Sequence, residues 1–125
     1  MKLHTNMKKD YFIANKNDSL ETIIKKLFIN SNRGLVVIEQ KKVVGVIAAG
    51  DILESLVYKK NMNATASSIM NKSFKFLRKK DMKLAAKIFA KQLHAFIPIV
   101  NIRMELIDII TLDYFLKHFS LKKNK

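Results

Sequence analysis

Few side chains in this chain of 125 residues are of a type and spacing that could do chemistry. There is no cysteine, which removes disulfides and thiolate chemistry. None of the three histidines, His4, His94 and His118, falls in a catalytic motif, and no nucleophile elbow is present. Three glycines are too few for a Gly-rich loop that cradles phosphate. Asp108 and Asp113 lack a third ligand at metal-binding spacing, so no metal is expected. Asp51 and Thr111 each place a side-chain oxygen at the mouth of an expected helix. There an oxygen caps the helix by accepting a backbone N–H, a contribution of about 0.5–2 kcal/mol. The same oxygen can instead meet a ligand, and Arg33 can meet a phosphate or stay solvated. The chain reads as a binder and not as an enzyme.

The elements that hold these residues follow from apolar period. Tyr11 to Ala14 reads as a strand, and Asp18 or Ser19 as the N-cap of a helix to about Asn30, with Glu21 in its first turn. Leu20, Ile23, Ile24, Leu27 and Phe28 recur on one face of that helix. Leu35-Val36-Val37-Ile38 is a β-branched strand of the kind buried on both faces, and Val43 to Ala48 returns as its hairpin partner. A helix from Gly50 to about Tyr58 should bury Ile52, Leu53, Leu56 and Val57.

After a polar linker over 59–66 the series restarts. Ala66 to Met70 reads as one helical turn and Phe74 to Leu77 as a strand. Asp81 caps a helix with Met82, Leu84, Ala85, Ile88 and Phe89 on its apolar face. His94-Ala95 leads into the strand Phe96-Ile97-Pro98-Ile99-Val100, and Glu105 to Ile110 returns. A last helix carries Tyr114, Phe115, Leu116 and Phe119, and the tail from Leu121 should fray. Leu27 maps onto Phe89 and Glu39 onto Asn101, 62 residues on, whereas Gly45 maps onto Asp108 and Ile52 onto Phe115, 63 on. A hairpin turn one residue longer in the second copy accounts for the change. The chain is therefore two strand-helix-strand-strand-helix copies, divided as 1–60 and 61–125. A self-similar half cannot bury its own apolar face, so the halves should pack on each other around a crevice.

Composition sets the remaining bounds. An apolar fraction of 49% suits one globular core, and no run approaches the roughly 20 apolar residues that span a bilayer. The N-terminus lacks the apolar stretch of a signal peptide, so a cytoplasmic location is expected. A net charge of +14 favours an anionic partner. Only three of the 24 basic residues are Arg, however, and Lys, Asn and Ile are all abundant, the drift of an AT-rich genome. The Lys pairs are dispersed, which disfavours nucleic-acid binding.

At Gly45-Val46-Ile47-Ala48-Ala49-Gly50-Asp51 in the first copy, and at Ile97-Pro98-Ile99-Val100 with Thr111 in the second, the chain resembles the paired CBS domain, or Bateman module. Ala66-Ser67-Ser68-Ile69-Met70 resembles the short motif that introduces the second copy, and the likeness covers about residues 9–119. It implies an α/β (α+β) fold of tandem CBS repeats packed through their sheets by a pseudo-two-fold axis. It also implies two clefts that hold an adenosine nucleotide (AMP, ADP or ATP) or a related ligand. In such a cleft the Asp accepts from both ribose hydroxyls, a charge-assisted contact, while the Thr or Ser and the helix N-terminus meet phosphate.

Carried onto this sequence, the first cleft has Asp51, Arg33, Gly34 and Leu35, but Ala48 replaces the hydroxyl residue. The second has His94, Phe96, Pro98 and Thr111, but Tyr114 replaces the Asp, and Asp113 points about 100° away on the helix. Neither copy keeps the full pair. The resemblance further implies a regulatory role toward an attached or separate effector, an enzyme or a transporter. It also implies a homodimer built on Ile52, Leu56, Phe115 and Phe119. The alternatives are a dimerisation scaffold that binds no ligand and, less favoured, a basic nucleic-acid-binding domain.

Overall fold

The computed structural model describes residues 2–4, 12–30, 34–59, 63–91 and 95–123. The chain begins with β1 (Lys2–His4), which joins the sheet of the second unit. The first unit is β2 (Ile13–Asn15), α1 (Leu20–Ile29), β3 (Leu35–Glu39), β4 (Lys42–Ile47) and α2 (Ala49–Glu54). α2 runs on as a wider π-helical turn, Ser55–Lys59. A single turn, α3 (Ala66–Ile69), leads to the second unit: α4 (Met82–Lys91), β5 (Phe96–Val100), β6 (Leu106–Thr111) and α5 (Leu112–Lys123). α1 and α4 match end for end at 62 residues, and α2 and α5 begin 63 apart.

Local chemistry sets these boundaries. The Ser19 hydroxyl accepts from the Thr22 N–H at 3.2 Å and starts α1. Asn30 ends it, and its buried side chain donates to the Gly34 carbonyl at 2.9 Å, fixing the return to β3. Gln40 and Lys41 turn the first hairpin with φ of +50° and +71°, the left-handed pair that matches the right-handed twist of its strands. In the second hairpin Asn101 pairs with Glu105, and Ile102, Arg103 and Met104 turn the chain, with Met104 at φ +66°. This is the extra residue that the change of repeat interval requires.

The two sheets are β2-β3-β4 and β1-β6-β5, with β2 parallel to β3, β1 parallel to β6, and both hairpins antiparallel. Two strands differ from expectation. β1 was not foreseen; it pairs Lys2–His4 with Asp108–Ile110. The expected strand Phe74 to Leu77 shrinks to one parallel bridge, Leu77 with Ile99. Pro98 supplies the reason. In a parallel ladder the next bridge back, at Lys75, needs an N–H from residue 98, and proline has none. Phe74 and Phe76 instead turn their rings into the core between the units.

Three apolar clusters result. Leu35, Val37 and Ile47 face α1 and α2, together with Ile23, Leu27 and Ile52, and α3 adds Ala66 and Ile69 to this core. Ile97, Ile99 and Ile110 face α4 and α5, with Ala85 and Phe115. Between the sheets, Phe12, Val36, Val43 and Val46 meet Phe96, Val100 and Ile109. β3 is thus buried on both faces, as its β-branched run predicts.

A pseudo-two-fold axis can be located from hydrogen bonds. The Val43 N–H donates to the Met104 carbonyl at 2.8 Å, and the Leu106 N–H to the Lys41 carbonyl at 3.1 Å. A 63-residue shift exchanges these two bonds, and it maps Lys42 onto Glu105, which bridge each other between them. At the other end Gly34 lies against the ring of Phe96, 62 residues on.

The helices bury narrower stripes than the period suggests. Leu20, Ile23 and Leu27 are buried on α1, while Ile24 and Phe28 on the neighbouring stripe are exposed, Phe28 to 80%. On α2 the buried face runs through Ile52 and Ser55, which leaves Leu53 and Val57 more than half exposed. Leu84 of α4 is likewise exposed. A helix lying on a sheet seats positions three and four apart, and the stripe beside them faces solvent. Among the described residues no helix is long and apolar enough to cross a membrane.

Candidate functional site

Leu35 pairs with Ile47 and Phe96 with Thr111, so the Gly34–Phe96 contact lies at the end where α2 and α5 begin. At the first entrance Ala48 holds the N-cap position and contributes no side-chain acceptor. Asp51, in the third helical position, reaches back, and its Oδ2 accepts from the Ala48 N–H at 2.8 Å. Asp51 is half-buried and makes no other hydrogen bond among the described residues, so Oδ1 is unused. Leu35 pairs with Ile47 immediately before this turn and is fully buried. Gly34 has φ +119°, where L side chains are strained. A Cβ on it would lie 2.7 Å from the Ile47 carbonyl oxygen and well inside contact distance of the Phe96 ring.

The second entrance uses the other half of the same capping arrangement. Thr111 is buried, and its Oγ1 accepts from the Tyr114 N–H at 3.1 Å. Tyr114 stands in the third helical position of α5, as Asp51 does in α2. Its ring is engaged within the chain. Lys80 donates to the Tyr114 hydroxyl and holds its Nζ 4.8 Å from the ring centre. His118, one turn on, stacks at 3.8 Å and brings Nδ1 to 3.1 Å from the Tyr114 carbonyl oxygen. Phe96 pairs with Thr111 across the hairpin, and Phe96 and Pro98 are both buried.

Gly34, Leu35, Ala48 and Asp51 are therefore gathered at one mouth, and Phe96, Thr111 and Tyr114 at the other, with Pro98 deeper on β5. The contact between Gly34 and Phe96 joins the two mouths. Arg33 and His94 lie outside the described residues. Sequence reasoning missed Lys80, which lies 34 residues from Tyr114, so no local spacing pointed to the contact. His118 was legible in principle, because four residues on a helix place two rings on one face. Open grooves also occur elsewhere. One of about 680 Å³ lies on the outer side of α2, lined by Gly50, Leu53, Glu54, Val57 and Tyr58. One of about 450 Å³ lies at the hairpin end, between Ile38, Lys41, Asn101 and Glu105. Neither includes Asp51, whose chemistry rests on hydrogen-bond geometry and not on groove size.

The family model described as CBS domain matches residues 3–58. Among curated proteins none matches the chain. The chain also resembles solved structures at low identity, several of them described as CBS proteins. The CBS-pair protein CBSX2 from Arabidopsis thaliana is 19% identical with a TM-score of 0.78, over 95% of this chain and 93% of that one. CBSX2 in complex with AMP is 19% identical with a TM-score of 0.74, over 97% of this chain and 100% of that one. The cytosolic domain of the Mg2+ channel MgtE in complex with ATP is 18% identical with a TM-score of 0.70, over 90% of this chain. Protein MJ1225 from Methanocaldococcus jannaschii is 22% identical with a TM-score of 0.77, over 88% of this chain. The chain spans about half the length of these last two, 46% of each. The match to the CBS-domain model falls on its first unit, and the chain as a whole has the fold of a CBS-domain pair.

Proposed function

We propose that this chain is a regulatory module of the cytoplasm. It takes an adenine nucleotide, or a related phosphorylated ligand, in the cleft between its CBS repeats and signals to an attached or separate effector. The observation that carries this reading is Asp51. Its carboxylate is anchored by one backbone N–H, at the start of α2, and keeps an oxygen that no described residue takes. An acceptor so held can take a hydrogen bond from a ribose hydroxyl without reorganising. AMP in CBSX2 and ATP in MgtE support the ligand class. The test is a thermal-shift and calorimetry panel of AMP, ADP and ATP. A ligand at 100 times its dissociation constant should raise the melting point by roughly 10 °C. Asp51→Ala should weaken binding roughly 10- to 100-fold, the share of a charged hydrogen bond. Full affinity in that variant would dismiss the site, and no shift with any nucleotide would dismiss the ligand class.

A second reading, a dimerisation scaffold, is favoured by the apolar surface of the outer helices. Ile52 and Phe115, expected at the interface, are instead core residues, and Leu56 is half-buried. The exposed apolar side chains are Leu53, Val57 and Tyr58 near α2, with Leu116 and Phe119 on α5. A homodimer of the module would bury this surface, whether or not a ligand is bound.

A further inference from the structure

We infer that the second mouth is shut by the chain's own side chains, so that each copy takes one nucleotide, at the Asp51 mouth. This rests on the function proposed above. The two mouths have the same backbone, and Asp51 and Tyr114 fill equivalent third positions of α2 and α5. What differs is how far their polar groups are already committed. Asp51 spends one oxygen on its helix and keeps the other. At the second mouth the Thr111 hydroxyl already accepts the Tyr114 N–H. The Tyr114 hydroxyl takes the Lys80 ammonium, and the ring carries both that cation and the stacked imidazole of His118.

A nucleotide entering there would have to part Lys80, Tyr114 and His118 together. At the position equivalent to Asp51 it would find Tyr114 and no carboxylate. Lys80 would lose its hydrogen bond and its aromatic face to gain a phosphate, and Tyr114 would lose both of those contacts. The Lys80–Tyr114–His118 arrangement therefore persists, whereas at the equivalent position of the first unit Asp51 keeps an oxygen that no described residue takes.

Calorimetric titration with ATP and with AMP tests this, beside amide NMR of the same samples. Wild type should bind one equivalent per chain, with shifts at Gly34, Ala48 and Asp51 and none at Lys80, Tyr114 and His118. Tyr114→Asp, which restores an acceptor and removes the ring, should bind two. Two equivalents in wild type, a first equivalent that moves the Tyr114 cluster, or one equivalent in a folded Tyr114→Asp would each overturn the inference while nucleotide binding stands. No binding in wild type would remove the proposed function, and this inference with it. If Tyr114→Asp fails to fold, the wild-type stoichiometry and shifts decide alone.

Discussion

Replacing Gly34 with alanine tests the packing that brings the two mouths together. The residue has φ +119°, and its missing Cβ leaves room for the ring of Phe96 and the carbonyl of Ile47. An L residue held in that backbone region costs about 1–3 kcal/mol. Forcing a methyl group against two buried neighbours costs about 1–3 kcal/mol more. The sum centres near 4 kcal/mol, which for a domain of this length lowers the melting point by roughly 15 °C. The assay is urea unfolding followed by circular dichroism, on wild type, Gly34→Ala, Phe96→Leu and the double variant. Leucine withdraws the ring atoms that the new methyl would strike, so the double variant should be about 1–3 kcal/mol more stable than the two losses added together. The backbone share of the penalty should remain in it. Additive losses, or a Gly34→Ala cost below about 1 kcal/mol, would refute the contact across the axis and the gathering of the mouths that depends on it.

Two further outcomes follow from the caps and the exposed helices. Thr111→Val keeps the shape but loses the bond to the Tyr114 N–H, so chemical denaturation should show a loss of about 0.5–2 kcal/mol, recovered in Thr111→Ser. Leu53→Lys places a charge on an exposed apolar stripe of α2 outside the core. It should leave the melting point within a degree or two by the surface-substitution rule, and shift sedimentation toward monomer if that stripe carries the homodimer.

The repeat was legible because the apolar pattern repeats with it. Strand β3 carries the β-branched run Val36-Val37-Ile38, and the helix faces recur at the interval that α1 and α4 keep to the residue. What stayed hidden depended on contacts across the fold. β1 is three residues long, too short for a period to be read; its strand character comes from an open edge on β6, about a hundred residues away in the chain. The loss of the strand before α4 is written in Pro98, but it becomes readable only when the neighbouring ladder is known. Solvent-facing Leu53, Val57 and Phe28 share the period of the buried stripe beside them, so hydrophobicity alone could not separate core from surface. At the mouths, Asp51 and Thr111 were legible as caps. The partner of Tyr114 was not, because Lys80 reaches it from a different element.

Helix capping accounts for both mouths up to a point, and where it stops separates structure from function. Each unit keeps one half of a reciprocal cap. In the second unit the N-cap hydroxyl reaches forward to the third residue. In the first, the third residue reaches back to the N-cap N–H. Either bond stabilises its helix by a similar amount, so capping alone gives no reason for the two solutions to differ. The groups around them do differ. Thr111 and Tyr114 are closed by Lys80 and His118 into a cluster with its hydrogen bonds made inside the chain. The cap at Asp51 is achieved with half of a carboxylate, and no described residue takes the other half. A charged oxygen kept half-buried and half-used costs desolvation that a serine or threonine cap would avoid. A ligand of the proposed class would complete that oxygen's hydrogen bonding, whereas the second unit has Tyr114 at the equivalent position.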